Sequence, residues 1–157
     1  MFRSAMRVSS LFVTPLVFAS FNYAQQPNLG SSTSVKVELK TPVRLVLDQA
    51  LSSKTLKSGD TFQLVVAEDV LVNGKVVVAK GSPATGRITQ VVKGNINQPG
   101  KIEGTVDSVR AVDGHNIPLD GNISGNGAGM WGRGKPAKIE KGQFINCVVA
   151  KETEVKM

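Results

Sequence analysis

The groups in this chain that are able to do chemistry are few, and the densest set lies in "GNGAGMWGRGKP", residues 125–136. Gly129 to Lys135 spells G-x-x-x-x-G-K, and Gly127, Gly129 and Gly132 spell G-x-G-x-x-G. Both patterns cradle phosphate when a strand precedes them and a helix follows, so that backbone N–H groups converge on the anion. The first also needs Ser or Thr after the lysine to hold magnesium. Here Pro136 stands in that place, and "AKIEKGQ" turns at Lys141-Gly142 instead of starting a helix. Neither a nucleotide nor any other cofactor is expected. With six glycines between Gly121 and Gly134, residues 121–136 read as a mobile, glycine-rich surface loop. Met130 and Trp131 are the large apolar side chains of the 125–136 stretch, beside the cations Arg133 and Lys135. Two readings stay open: Trp131 folds back to cap the core, or these four residues form an interaction loop for a membrane or a partner.

The other reactive groups are isolated. His115 is the single histidine and follows Asp113-Gly114, so it is expected exposed at a hairpin tip without the partners a triad or a zinc site requires. Cys147 is the single cysteine. It makes no internal disulfide, and in "FINCVV" it shares a face with Ile145 and Val149, as a small buried hydrophobe would. Glu68 and Asp69 are adjacent, so on a strand they point to opposite faces and do not converge. Glu152 and Glu154 share a face, but Lys151 and Lys156 make them ordinary edge charges. No catalytic residue and no metal ligand is expected. Asn122-Ile123-Ser124 is a glycosylation sequon in a secretory pathway that reads it.

The elements that carry these groups read as strands. Val35, Val37, Leu39, Val43, Leu45 and Leu47 alternate with Lys36, Glu38, Lys40, Arg44 and Asp48, a period of two that sends one set to a core. Pro42 marks an edge or a break between two short strands. "VLVNGKVVV" (70–78) has the sequence of a type I′ hairpin at Asn73-Gly74. "PATGRITQVV" contains Gly86, which suggests a bulge or a close backbone approach. "NINQPG" turns the chain into "KIEGTVDSVRAV", Asp113-Gly114 leads into "NIPL", and "QFINCVVA" closes the series. No window carries a 3.6-residue apolar stripe, although "LDQALSSKTL" has room for a helical turn or two. The expectation is an all-β domain, a barrel or sandwich of about seven to eight short strands. "VVVAKGSPATGRI" and "AKIEKGQFINCVV" share a Lys-Gly turn ahead of a strand, with "VELKTPVRLVL" as a degenerate copy carrying Thr41 in place of glycine. Duplication and a repeated local solution both account for this.

Ahead of the strands, residues 1–24 read as a signal peptide. Arg3 and Arg7 form a basic start, "VSSLFVTPLVFA" is a short apolar run, and cleavage falls after Ala24 or Ala19. A retained anchor is the rival reading, against which Ser9, Ser10, Thr14 and Pro15 dilute a run shorter than a span requires. Residues 25–34 read as a flexible linker and 35–157 as the domain. The whole chain of 157 residues carries 19 basic and 12 acidic side chains. Loss of Arg3 and Arg7 with the leader lowers the net charge from +7 to +5. That balance suits weak contact with an anionic membrane surface, and export makes nucleic acid an unexpected partner.

Together with "VRLVLDQALSSKTLKSGDTFQLVVAEDVLVNGKVVVAKG" and "DSVRAVDGHNIPL", the Lys-Gly-led strands give residues 35 to 151 a resemblance. They look like exported bacterial proteins of unassigned activity, and more distantly they are similar to the β-barrel domain of VirB10/TrbI-type proteins. The resemblance implies a modified β-barrel in the cell envelope that works through protein contacts. The chain departs from the VirB10 pattern in lacking a proline-rich periplasmic stretch and an amphipathic helical pair. The expected function is that of a non-enzymatic, exported, periplasmic or secreted envelope module that binds an envelope protein or surface partner. The alternatives are a cell-wall or polysaccharide-active hydrolase, or a membrane-surface module using the Trp131 loop.

Overall fold

The computed structural model describes residues 33–128 and 134–157. The expected leader, most of the expected linker, and the loop residues Met130, Trp131 and Arg133 lie outside them. Every regular element among the described residues is a strand, thirteen in all. Along the chain these are β1 (Ser34–Val37), β2 (Pro42–Leu47), β3 (Leu51–Ser52), β4 (Thr61–Val66), β5 (Val70–Val72), β6 (Lys75–Val78) and β7 (Pro83–Val92). Then follow β8 (Lys101–Arg110), β9 (Asn116–Asp120), β10 (Asn122–Asn126), β11 (Lys138–Ile139), β12 (Phe144–Val149) and β13 (Thr153–Lys156). The count exceeds the expected seven or eight because β3, β11 and the β1–β13 and β5–β6 pairs are short and lie outside the main sheet. The domain also starts slightly earlier than the alternation suggested, since Ser34 already pairs with Lys156.

Six antiparallel strands close into a barrel in the order β8-β7-β4-β2-β12-β9, with β9 returning to β8, and β10 extends the sheet beside β8. Strands β9 and β10 run along the same edge of β8, and the pairing register shifts by one residue between them at Gly121. Alternation places Val43, Leu45, Leu47, Phe62, Leu64, Ile88, Ile102 and Ile117 in the interior, all buried. The barrel is filled by side chains, as small barrels are. Leu39 departs from the expected pattern and is 57% exposed. Lys40 has φ 64, so the chain turns there and the period of two restarts at Pro42, which confirms the break between strands. "LDQALSSKTL" forms β3 and a single turn, with Leu56 N–H donating to Ser52 O at 3.0 Å.

One local device recurs ahead of four barrel strands. In Glu38–Thr41, Lys57–Asp60, Ala79–Ser82 and Glu140–Gln143 the fourth residue's N–H donates to the first residue's carbonyl, at 3.0–3.4 Å. The third residue has positive φ each time: Lys40 64°, Gly59 94°, Gly81 81° and Gly142 89°, the mark of a type II turn. Its N–H then donates at 2.8–2.9 Å to Val149, Ile88, Val66 and Leu47 respectively. Each of those residues returns its own N–H to the carbonyl of the turn's fourth residue, at 2.8–3.0 Å. The turns before β2 and β12 thus grip each other's far ends, and the turns before β4 and β7 are linked in the same reciprocal way. The degenerate copy is confirmed but displaced by one position, because Lys40 and not Thr41 occupies the glycine's place.

Close approach accounts for two further glycines. Gly86 sits at a register shift in the β7–β8 pairing, and a Cβ there would lie 2.6 Å from the Thr105 carbonyl oxygen and overlap the Phe62 ring. A Cβ on Gly104, which pairs with Ile88, would lie 2.9 Å from the Arg87 carbonyl oxygen and 3.2 Å from the same ring. Phe62 thus lies against backbone where side chains would otherwise stand, which lets one ring fill the centre of a narrow barrel. The close approach expected at Gly86 is present, and the register shift beside it places the extra residue, Asp107, on β8 and not on Gly86's own strand.

These contacts set the order of substitution effects in urea unfolding. Lys40→Gly relieves a left-handed lysine and is expected to be neutral or to stabilise by up to about 1 kcal/mol. Gly142→Ala is expected to cost about 1 kcal/mol, and Gly86→Ala, which must displace Phe62, about 1–3 kcal/mol.

Candidate functional site

The strand register sorts the connections between strands into two ends. Residues 48–60, 93–100 and 127–143 meet at one end of the barrel, and residues 38–41, 67–82, 111–115 and 150–152 meet at the other. The second end is covered by β1–β13 and the β5–β6 hairpin. That hairpin turns through Asn73 (φ 52) and Gly74 (φ 76), with Val72 opposite Lys75, which is the expected type I′ geometry. Val35, Val37, Val70, Val77, Val78 and Val155 from these strands are buried.

Charge divides unequally between the ends. At the covered end, including β1 and β13, Lys36, Lys40, Lys75, Lys80, Lys151 and Lys156 are matched by Glu38, Glu68, Asp69, Asp113, Glu152 and Glu154. At the other end the described residues supply Lys54, Lys57, Lys93, Lys135, Lys138 and Lys141 against Asp48, Asp60 and Glu140. Asp48 already pairs with Lys141 at 3.1 Å, and Asp60 Oδ2 accepts the Lys57 N–H at 2.8 Å. No carboxylate among the described residues pairs with the ammonium groups of Lys54, Lys93, Lys135 and Lys138, all exposed. The charges that look scattered in the sequence gather here because three separate connections converge.

Within this end, the arms of the glycine-rich segment are held by backbone. Lys135 N–H donates to Gly127 O at 2.9 Å, Gly127 N–H to Gly100 O at 2.8 Å, and Gly100 N–H to Lys135 O at 2.8 Å. Gly134 N–H reaches Ile96 O at 3.2 Å. Ser53, the buried polar residue of the core, accepts Ala137 N–H on Oγ at 3.0 Å and donates its own N–H to Ala137 O at 3.0 Å. At Gly127 a Cβ would overlap the Lys135 carbonyl. The glycine at this base therefore serves close packing of backbone, and the loop expected over 121–136 is corrected: Asn122–Asn126 form β10 and Gly127, Gly134 and Lys135 are held by backbone hydrogen bonds, while residues 129–133 lie outside the described residues. Lys54, Lys135 and Lys138 line an open groove of about 420 Å³ over Gly127, Ala128 and Pro136. A second groove of about 480 Å³, with Val92, Pro99 and Ala128, runs on the other side of Asn126. Ile96 stands 74% exposed on the neighbouring 93–100 connection. Of the four loop residues singled out from the sequence, the described part retains Lys135; Lys138 lies further along the same connection, and Lys54, Lys93 and Ile96 come from two other connections.

The isolated groups have structural occupations. Glu68 lies 4.0 Å from Arg44, and Asp69 Oδ1 accepts Lys80 N–H at 2.6 Å, in a bend between β4 and β5. Glu152 pairs with Lys36 at 2.7 Å. His115 is exposed at its turn as expected, and its Nδ1 lies 2.8 Å from Asp113 Oδ2. Asp113 is 7% exposed and also accepts Lys156 N–H at 2.9 Å and His115 N–H at 3.0 Å. Burial opposes its charge, but these backbone donors and the histidine outweigh it and hold the carboxyl at about 2. No hydroxyl or thiol completes a triad through His115 among the described residues. Cys147 is buried beside Ile145 and Val149 as expected, and a Cβ on Gly121 would overlap its sulfur. Burial, followed by the charge of Asp120, pushes its thiol up to about 11.

The chain matches no protein-family model, and no curated protein matches it in sequence. Neither comparison links the chain to the VirB10/TrbI-type domain.

Two measurements follow from these environments. Because the Asp113 carboxyl is lowered on folding, its contribution is present above its ordinary pKa of 3.8 and is lost as pH falls toward about 2. Asp113→Asn is expected to flatten stability over that acid range and lower the melting temperature at neutral pH. Cys147 is expected to resist a thiol reagent in the native protein at neutral pH and to react fully in denaturant.

Proposed function

We propose that this chain is a non-enzymatic, exported module of the cell envelope, a small β-barrel that acts through its surface and not through an internal site. The observation that carries this reading is the filled barrel: Phe62, Leu45, Leu64, Ile88 and Ile102 occupy the interior, so ligand contact falls to the loops at its ends. The commitments of the carboxylates support it as well. Hydrolysis of a glycosidic bond needs two carboxyl groups facing one substrate atom, whereas Glu68, Asp69, Asp113 and Glu152 each hold a nearby lysine, arginine, histidine or backbone amide. A peptide or glycan binding at a barrel end meets exposed lysines and backbone instead. The leader read from residues 1–24 directs the module outward, where a core without disulfides must maintain the fold.

Fractionation of cells expressing the full chain with a C-terminal tag tests this. The expected outcome is an envelope or secreted protein whose N-terminus begins after Ala19 or Ala24, without activity on peptidoglycan or polysaccharide. An intact N-terminus in the cytosolic fraction, or release of sugars by the purified protein, would overturn it.

A further inference from the structure

We infer that the lysine-rich end of the barrel is a docking surface for an anionic phospholipid bilayer, a surface formed by Lys54, Lys93, Lys135 and Lys138 around the exposed side chain of Ile96. Membrane as the source of the anion rests on the proposed envelope location; the electrostatics do not. The lysine excess lies at one end, where six lysines meet three carboxylates, two of them already engaged. At the opposite end six lysines, with Arg44 beside Glu68 and Arg110 at the end of β8, meet six carboxylates, twice as many acids for the same number of lysines. A molecule with this asymmetry orients in the field of a negative surface with its basic end inward.

The form of the surface favours a bilayer over a small anion. A free phosphate is held by convergent donors in an enclosed site, whereas Lys54, Lys135 and Lys138 stand on exposed stems around an open groove floored by Gly127, Ala128 and Pro136, and Lys93 is exposed on the 93–100 connection. Lysine stems suit an interface, because the methylenes lie along apolar material while the charge reaches the headgroups. Ile96 supplies an apolar side chain at the same end, and its carbonyl accepts the N–H of Gly134, the neighbour of Lys135. Val92, Pro99 and Ala128 add apolar wall to a second groove at the same end. Protruding apolar groups ringed by cations are how peripheral proteins hold an anionic interface. A flexible acidic polymer would engage the lysines but give Ile96 nothing to enter. Polybasic attraction is worth about 1 kcal/mol for each lysine near the surface, or roughly fivefold in affinity.

The test uses residues 31–157, which contain the whole apolar core and form one compact unit, so that the leader's own hydrophobicity cannot contribute. Co-sedimentation with vesicles of phosphatidylcholine plus phosphatidylglycerol is compared with phosphatidylcholine alone. The expected result is binding to the mixed vesicles only, weakened by salt. Replacing Lys54, Lys135 and Lys138 together by Gln is expected to weaken it at least about tenfold. The same charge removed at the other end, with Lys75, Lys80 and Lys151 changed to Gln, is expected to leave it nearly unchanged. Ile96→Ser, which alters no charge, should weaken vesicle binding without altering retention on a dextran sulfate column. Circular dichroism of each variant establishes that the barrel is intact. Absence of vesicle binding, equal losses from both triple variants, or binding to dextran sulfate without vesicles would each overturn the inference. None of these outcomes bears on whether the chain is exported or enzymatic.

Discussion

The alignment of four neighbouring barrel strands depends on where four turns place a single amide each, while β9, paired with both β8 and β12, closes the ring. An antiparallel ribbon that twists without closing leaves two edges of unpaired N–H and C=O groups, which invite other chains. Here a left-handed residue at the third position of each turn aims its N–H across to a barrel strand, and that strand answers with its own. Because the grips are reciprocal, β2 and β12 fix one another's ends, as do β4 and β7. Loosening one turn therefore releases its partner strand as well as its own, which makes the ring cooperative. The glycines of these turns have open space where a side chain would go; their requirement is conformational and not steric. Gly86 and Gly121 have the opposite requirement, since a ring or a sulfur already occupies that volume.

With the ring closed and Phe62 at its centre, the remaining apolar side chains have little choice. They form one core of which Cys147 is a member, and the thiol is kept protonated by the same desolvation that makes it inert. The polar exceptions are local locks. Ser53 ties the start of the first long connection to Ala137, and Asp113 ties the β8–β9 turn to the last strand. Both join segments far apart in the chain, and Ser53 satisfies a buried backbone N–H that would otherwise be left without water. The rigidity of this frame is what allows the loops at its ends to carry charge without concern for packing.

Much of the frame was legible in the sequence because alternation is a local signal. Val35, Val37, Val43, Leu45 and Leu47 announce their face through their neighbours, and Asn73-Gly74 announces its turn through its own φ requirements. Leu39 misleads because the period continues through it while the backbone turns at Lys40, a residue that gives no hint of left-handed geometry. The Lys57–Asp60 turn belongs to the repeated set without the Lys-Gly pair that marks two of its relatives. Ring order is not local, and neither is anything built from it. The gathering of Lys54, Lys93 and Lys138 around Lys135 depends on three connections returning to one end. Asp113 likewise shows nothing in its neighbourhood of its bond to Lys156, 43 residues away.

Strand β1 pairs with β13 along four residues, and Met157 N–H still reaches Thr33 O at 3.1 Å. The chain thus enters and leaves the domain side by side. A force applied between these two points loads the β1–β13 ladder one hydrogen bond at a time, in the geometry of a zipper and not of a shear. Those strands would peel away first and expose the valines beneath, while the barrel, whose strands are not in the line of tension, stays closed. Adjacent entry and exit also mean that the module can be spliced into a surface loop of another protein with little separation of that loop's ends.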